Sequence, residues 1–242
     1  VTSLRLEARS ALLWTLGVLH FVPGVVLLTA LAGAAGPRRV DPLLKTFCRN
    51  ILRLAGARLV VQCSPRLDGR RVHLFVANHV NVFDPFTICA AVPQPACGFE
   101  LESHFRIPVY GWLMRGFGNV AVPDRPGKDA IARMRRDVRD RVARGSSLIL
   151  FPEGTRTRTG HVGPFRAGAF RIVAELGIPV VPVSQVGAFE LQHPGRGRLE
   201  PSTVVVRLHD PIETEGLPPA RLEALLEQIR DIVRAPVERP AR

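Results

Sequence analysis

The stretch "NHVNVFD", Asn78 to Asp84, places a histidine five residues before an aspartate, directly after the apolar run "VHLFVA". Those two side chains could do general-base chemistry. A carboxylate that accepts the N–H of one ring nitrogen fixes the tautomer and raises the basicity of the other nitrogen, which can then take a proton from an attacking hydroxyl. A spacing of five does not suit one face of a regular helix, where residues three and four apart are neighbours, so a turn must bring the pair together. The alternative is a helix cap beside an incidental histidine. Asp84 precedes Pro85, and an aspartate before a proline marks a helix start.

Other polar residues leave apolar runs in the same manner. "FPEGTR", Phe151 to Arg156, turns at Pro152 and is expected to expose Glu153 and Arg156 beside a glycine. "GNVAVPDR", Gly118 to Arg125, ends on an arginine, and "IPVVPVSQVG", Ile178 to Gly187, is a further apolar run carrying two prolines. In an α/β sheet, polar residues at the C-terminal ends of strands converge on one crevice, which would gather His79, Arg125, Glu153 and Arg156.

The elements that must position them are read from short apolar runs and periodic stretches. Strands are expected at Leu59–Gln62, His73–Ala77, Asn119–Val122, Ser147–Phe151, Pro179–Ser184 and Thr203–Leu208. Helices are expected at Pro85–Ala91, Pro108–Phe117, Lys128–Arg144, Phe165–Leu176 and Pro218–Val233. Alternation of this kind predicts an α/β fold, a mixed and largely parallel sheet flanked by helices. "HPGRGR", His193 to Arg198, reads as a loop between strands, and the end, "RAPVERPAR", as a frayed tail.

The N-terminal part has a different character. No charged residue occurs from Ser10 to Gly36, while Arg5 and Arg9 stand before the run and Arg38 and Arg39 after it. As one helix it would extend roughly 40 Å, enough to cross a bilayer core of about 30 Å. Pro23-Gly24 would kink one span or divide it into two short helices that dip in and return. A secretory signal peptide is the other reading, but the apolar part from Ala11 to Leu28 exceeds the usual ~7–15 residues of a signal core. Asp41-Pro42 reads as the start of a following helix, on which Lys45, Arg49 and Arg53 make a basic stripe suited to anionic headgroups or, equally, a solvated charged face. Residues 1–56 are thus expected to dock the protein to a membrane and residues 57–242 to form the catalytic domain. The excess of cations after the apolar run places that domain on the cytoplasmic face.

Composition bounds the partners. The net charge is +12, and Lys45 and Lys128 are the only lysines. Arginine binds phosphate and carboxylate as a planar fork, so the partner is nucleic acid, an anionic membrane or an anionic small molecule. Cys48, Cys63, Cys89 and Cys97 show no CxxC spacing, which argues against a zinc site and a disulfide framework. There is no GxSxG elbow, so a covalent intermediate on a serine nucleophile is not expected.

Taken in order, "NHVNVFD", "IPVYGWLMRGFG", "GNVAVPDR", "FPEGTRTRTGHVGPFRAG" and "VPVSQVG" resemble the glycerophospholipid acyltransferases of the lysophosphatidate acyltransferase type, from about Arg58 to Asp210. The resemblance implies a membrane-bound α/β domain with an N-terminal helical segment, an acyl-CoA or acyl-carrier-protein donor, and a lysophospholipid or glycerol-phosphate acceptor, with 1-acylglycerol-3-phosphate foremost. It implies His79 as catalytic base and Asp84 as its orienting partner. Glu153, Gly154, Thr155 and Arg156 match the acceptor-binding block, Arg125 the second block, and Pro182 a fourth of structural or acyl-related role. No metal or cofactor is required beyond the acyl thioester as co-substrate, and backbone N–H groups near Gly154 are candidates for the developing oxyanion. Three departures stand out: Asn81 where many members carry a small hydroxyl residue, acidic residues in "CGFELESHF" where a lysine is frequent, and Arg166 in place of a frequent lysine. The alternatives are a non-catalytic basic protein binding membrane or nucleic acid, and a lipid hydrolase using the same base on water. No RNP, helix-turn-helix or zinc-finger pattern supports nucleic acid, which is not an expected partner.

Overall fold

The computed structural model describes residues 2–125, 127–193, 195 and 197–238. The chain opens with α1 (Thr2–Ala35) and α2 (Pro37–Ala55), a helical hairpin. Seven strands follow: β1 (Ala57–Cys63), β2 (Leu74–Ala77), β3 (Ala96–Leu101), β4 (Val120–Val122), β5 (Ser147–Leu150), β6 (Val180–Val186) and β7 (Ser202–Leu208). Six helices lie between and after them: α3 (Asp84–Ala91), α4 (Tyr110–Gly116), α5 (Lys128–Ala143), α6 (Ala167–Ala174), α7 (Ala188–Leu191) and α8 (Leu222–Glu238). The strands form one sheet in the order β1-β7-β6-β2-β5-β3-β4, parallel throughout except between β6 and β7. This is the mixed, largely parallel α/β sheet predicted from the sequence.

The central strands β2 and β5 are buried at every position, as expected for parallel strands covered on both faces. One face of the sheet is covered by α1, α2 and α3, with Phe47, Phe75, Ile88 and Val181 in its core. The other is covered by α5, α6 and α8, around Leu148, Phe170 and Ile229. Pro182 sits within β6, where a missing N–H would ordinarily break the ladder. Its carbonyl accepts the His209 N–H at 3.0 Å, so its nitrogen faces the β7 side, where pairing has already ended at Val183–Leu208.

Five elements differ from the sequence expectation, the short helix α7 being one with no expected counterpart. β3 has no counterpart among the expected strands, because Gly98 and Glu100 interrupt its apolar run. The run around Pro23-Gly24 is neither divided nor ended: α1 continues through both residues. Proline inside a helix costs about 3 kcal/mol, but the cost is offset by packing on α2. A Cβ on Gly24 would come within 2.4 Å of the Phe47 ring, so the glycine admits a large side chain rather than marking a break. The second helix begins at Pro37, not at Asp41-Pro42; Asp41 lies inside it, buried and paired with Lys45 at 2.6 Å. The C-terminal stretch expected to fray continues α8 to Glu238, beyond which residues 239–242 lie outside the described part. Residues 194 and 196 of the expected loop also lie outside it.

The basic stripe of α2 is correspondingly reassigned. Lys45 is buried and donates to the Pro93 carbonyl at 2.9 Å, and Arg49 donates to the Ala90 carbonyl at 3.0 Å. Arg49 thus satisfies one of the last carbonyls of α3, and Lys45 a carbonyl just past the end of that helix. Arg49 nonetheless stays an exposed residue, as does Arg53, whose guanidinium bonds Asn50 at 3.2 Å.

α1 is long and apolar enough to cross a membrane by length and composition. It nonetheless lies against the domain along its length, about 50 Å at 1.5 Å per residue. Near its start Ser10 accepts the Leu199 N–H at 3.0 Å and the Trp14 indole donates to the Gly197 carbonyl at 2.6 Å. In its middle Phe21 meets Phe47 and Phe86, and near its end Thr29 meets Gly116 of α4. Val25, Leu28 and Ala32 are buried, while Leu12, Val18, Leu19, Val26 and Leu27 stay exposed.

Candidate active site

The site is built where β2 ends. Asn78 leaves the strand and is clasped by Gln185 of β6. The Asn78 side chain accepts the Gln185 N–H at 2.8 Å and donates to the Gln185 carbonyl at 3.2 Å; the Gln185 amide donates to the Asn78 carbonyl at 2.7 Å. Three bonds to a buried neighbouring strand fix the backbone just before His79.

His79 itself is held by four contacts. Its Nδ1 lies 2.6 Å from Asp84 Oδ2, and its ring stacks on Phe151 at 4.7 Å between centroids and 24° between planes. Its own N–H donates to Glu153 Oε1 at 2.8 Å, and its carbonyl accepts the Thr157 N–H at 2.9 Å. With Nδ1 bound to a carboxylate, that nitrogen carries the proton and Nε2 is left with its lone pair. The imidazole is 22% exposed and lines the large cavity beside it, so Nε2 is reachable by a substrate.

Asp84 does not cap its helix, as its position before Pro85 suggested. It is the first residue of α3, fully buried, and turns back into the preceding loop. Its Oδ2 accepts the N–H groups of Val80 and of Asn81 (3.1 Å) as well as His79 Nδ1. The carboxylate organises the turn and orients the ring at once. Asn81 is also buried; it accepts the Phe83 N–H at 2.9 Å and donates to the Ala188 carbonyl at 2.6 Å, tying the turn to α7.

Glu153 is a correction to the sequence reading, which had it exposed. It is 6% exposed and accepts two backbone N–H groups, from His79 and from Gly163 at 2.9 Å. Burial raises its pKa, and the two backbone bonds oppose that rise. The carboxylate therefore acts on the loop carrying His79 instead of facing the cavity. Gly154 follows it with φ 71°, a conformation costly for any residue with a Cβ. Its N–H donates to the Phe151 carbonyl at 3.1 Å and is already used within the turn, so this group is not available to an oxyanion.

The cavity has a volume of about 710 Å³. One part is polar, with His79, Thr155, Arg156 and Arg166; another is apolar, with Phe86, Leu101, Leu113, Met114 and Phe117. Arg156 and Arg166 are exposed residues whose guanidinium groups have no ion pair or hydrogen bond among the described residues. Arg166, noted in the sequence only as a replacement for lysine, thus joins Arg156 as a second cation of the site. Arg125 does not. β4 is only three residues long, and the chain leaves the sheet before Arg125, which is exposed and outside the lining. Its block contributes Asn119, Val122 and Pro123 to the wall instead. The acidic substitution in "CGFELESHF" also faces the cavity: Glu100 accepts the Tyr110 hydroxyl and bonds His104 Nδ1, each at 2.5 Å.

Cys48 and Cys89 line the same cavity. The neighbouring Cys89 thiol and burial push the Cys48 pKa well above the ordinary thiol range. A thiol so held is a poor source of thiolate, and the thiolate is the nucleophilic form.

Replacing Glu153 by Gln tests the loop anchor. One of the two facing N–H groups would meet an amide N–H in place of an oxygen, leaving a buried donor unpaired at about 1–3 kcal/mol. Chemical denaturation should show a loss of that size, with turnover reduced through His79 positioning. Unchanged stability and turnover would remove the anchoring role.

The sequence matches the Acyltransferase family over residues 60–186, more than half of the chain. It is 34% identical over 140 residues to a chloroplastic 1-acyl-sn-glycerol-3-phosphate acyltransferase of Brassica napus, covering 57% of this chain and 40% of that protein. It is 28% identical over 165 residues to the 1-acyl-sn-glycerol-3-phosphate acyltransferase of Saccharomyces cerevisiae, covering 67% of this chain and 54% of that protein. The chain thus spans about half the length of these relatives. The fold is similar to the crystal structure of the 1-acyl-sn-glycerophosphate acyltransferase PlsC of Thermotoga maritima, with a TM-score of 0.82, 23% identity, and 98% and 97% of the two chains covered. With its NHxxxxD turn, its FPEGTR loop and this match, the chain belongs to the acyltransferase family, in its glycerophospholipid branch.

Proposed function

We propose that the protein transfers a fatty acyl group from an acyl thioester, acyl-CoA or acyl-carrier protein, to the free hydroxyl of a lysophospholipid, 1-acylglycerol-3-phosphate foremost. The observation that carries this reading is the His79–Asp84 pair at 2.6 Å on a cavity that also presents two arginines and an apolar wall. His79 Nε2 takes the proton of the acceptor hydroxyl as its oxygen attacks the thioester carbon. The tetrahedral intermediate collapses, the C–S bond breaks, and the imidazolium returns the proton to the leaving thiolate. Asp84 holds the ring and balances its charge in between. Arg156 and Arg166 meet the acceptor phosphate, and the apolar side chains take up acyl chain. The reaction calls for no cofactor besides the thioester. The names of the relatives, 1-acyl-sn-glycerol-3-phosphate acyltransferases, support the acceptor class. The test is a labelled acyl-CoA or acyl-carrier protein offered with a panel of lysophospholipids and with water alone, products resolved by headgroup. Release of free fatty acid without transfer would favour a hydrolase.

The same reading puts the protein on a membrane, with α1 lying in the interface and the domain on the cytoplasmic side. A helix held to the domain near both ends presents a long apolar face without leaving the domain to cross a bilayer. Because Lys45 is buried within the protein and α1 carries no charged residue from Ser10 on, attachment rests mainly on apolar insertion, which salt does not screen. A high-salt wash is therefore expected to leave the protein in the membrane fraction. Leu19→Glu, at a position 65% exposed on α1, should move most of it to the soluble fraction. Extraction of the unaltered protein by salt alone would sink this attachment.

A further inference from the structure

A second exposed apolar surface lies beside α1. Ile107 and Trp112 are each 46% exposed, and Leu101, which also lines the cavity, is 42% exposed, high values for large apolar side chains in one segment. The segment runs from the end of β3 through a 3-10 turn (Glu102–Arg106) into α4. It abuts α1 where Gly116 meets Thr29, so the two exposed apolar stretches belong to neighbouring elements. Leu113, Met114 and Phe117 of the same stretch line the cavity. One short segment therefore separates the site from whatever covers Ile107 and Trp112.

Its charges point to the occupant. Arg106 and Arg115 are exposed within the segment against one exposed carboxylate, Glu102; Arg115 donates to the Phe105 carbonyl. Arg38 and Arg39 are exposed just beyond the end of α1, Arg38 bonded to the Arg144 carbonyl at 2.6 Å. Arginines around an apolar patch bearing a tryptophan match the boundary between acyl chains and phosphate headgroups, where an indole sits with its ring in the apolar layer. The backbone is specialised too. Val109 has φ 65° and ψ −59°, and the Tyr110 N–H donates to the Pro108 carbonyl at 2.7 Å, a tight three-residue turn rare for a β-branched residue. That turn joins the stretch bearing Ile107 to the helix bearing Trp112.

We infer that residues 101–116 form a second membrane-contact element beside α1. Ile107 and Trp112 enter the headgroup–acyl boundary of a phospholipid bilayer, and Arg106 and Arg115 meet lipid phosphates. The inner side of the element is the cavity wall, so a lysolipid passes between bilayer and site without crossing bulk water. The inference rests on α1 lying in the membrane, and its test reports on the two elements separately.

Trp14 and Trp112 are the only tryptophans. In Trp14→Phe, which keeps a ring on Phe83, all indole emission comes from Trp112. A companion, Leu19→Trp with Trp14→Phe and Trp112→Phe, reports α1. Each is reconstituted with phosphatidylcholine–phosphatidylglycerol vesicles carrying bromine at shallow or deep acyl positions. Trp112 emission should shift to the blue on vesicle binding, with several-fold less quenching by aqueous acrylamide and stronger quenching by shallow than by deep bromine. If Leu19→Trp is quenched by bromolipid while Trp112 stays as open to acrylamide as in buffer, the element faces water. The inference then falls and the α1 reading stands. If neither indole is quenched by bromolipid, both fall. A blue shift of Trp112 without bromolipid quenching, growing with protein concentration, would replace the bilayer by a second copy of the chain and overturn the inference.

Discussion

In His79→Ala, acyl transfer is expected to fall by about 10²–10⁴-fold, the usual contribution of one general base, with the unfolding transition little changed. The geometry separates the two outcomes. The imidazole is on the cavity wall rather than in the core, so its removal loses one stacking contact on Phe151. Asp84 keeps two backbone donors, Val80 and Asn81, so the buried carboxylate is not stranded. Asp84→Asn should be severely impaired too, for a different reason. An amide oxygen can still accept the Nδ1–H, but it no longer balances the imidazolium formed during attack. Both variants are to be measured by product formation under saturating donor and acceptor, with folding checked by denaturation. Near-normal turnover in folded His79→Ala would remove the base from the mechanism.

The legibility of this site in the sequence follows the range of the interactions. The His79–Asp84 contact spans five residues, and turn chemistry between a strand and a Pro-led helix is visible locally. The Asn78–Gln185 clasp spans 107 residues and depends on β6 lying next to β2, which no local pattern gives. Glu153 was misjudged because a charged residue in a Pro-Gly turn ordinarily faces water. Its burial requires two backbone donors, from His79 and Gly163, that only the folded loops bring to it. β3 escaped because Glu100 breaks its apolar alternation, and that same residue is turned to the cavity. The apolar cores of β2, β5 and β6 were legible since buried parallel strands are continuous apolar runs.

The N-terminal hairpin shows the same division. Its apolar character was plain, but whether it left the domain or lay on it was decided by Phe47 seated against Gly24 and by the contacts of Ser10, Trp14 and Thr29. The basic stripe on α2 resolves likewise: Lys45 and Arg49 have the spacing of a headgroup-binding face, yet the proximity of α3 gives them carbonyls to satisfy. A net charge of +12 therefore overstates the cations free to meet a partner. Among the described residues, Arg156 and Arg166 carry an open guanidinium on the cavity.

Arg156 is the sharper test among these. Arg156→Ala is expected to raise the apparent KM for an anionic lysolipid by about 10- to 100-fold, the range set by ~1.5–3 kcal/mol for a hydrogen bond to a charged group. The KM for the acyl thioester should move far less. Lysine at the position should recover only part of the loss, since a point charge lacks the fork that meets two phosphate oxygens. Arg166 shares the cavity and softens the effect, so Arg156→Ala with Arg166→Ala should exceed either single variant. Arg125→Ala, exposed and outside the lining, should leave both KM values nearly unchanged. Steady-state kinetics with each substrate varied in turn decides the matter. A rise confined to the thioester would move Arg156 to the donor side. A large effect of Arg125→Ala would mean that the acceptor headgroup reaches beyond the cavity to the end of β4.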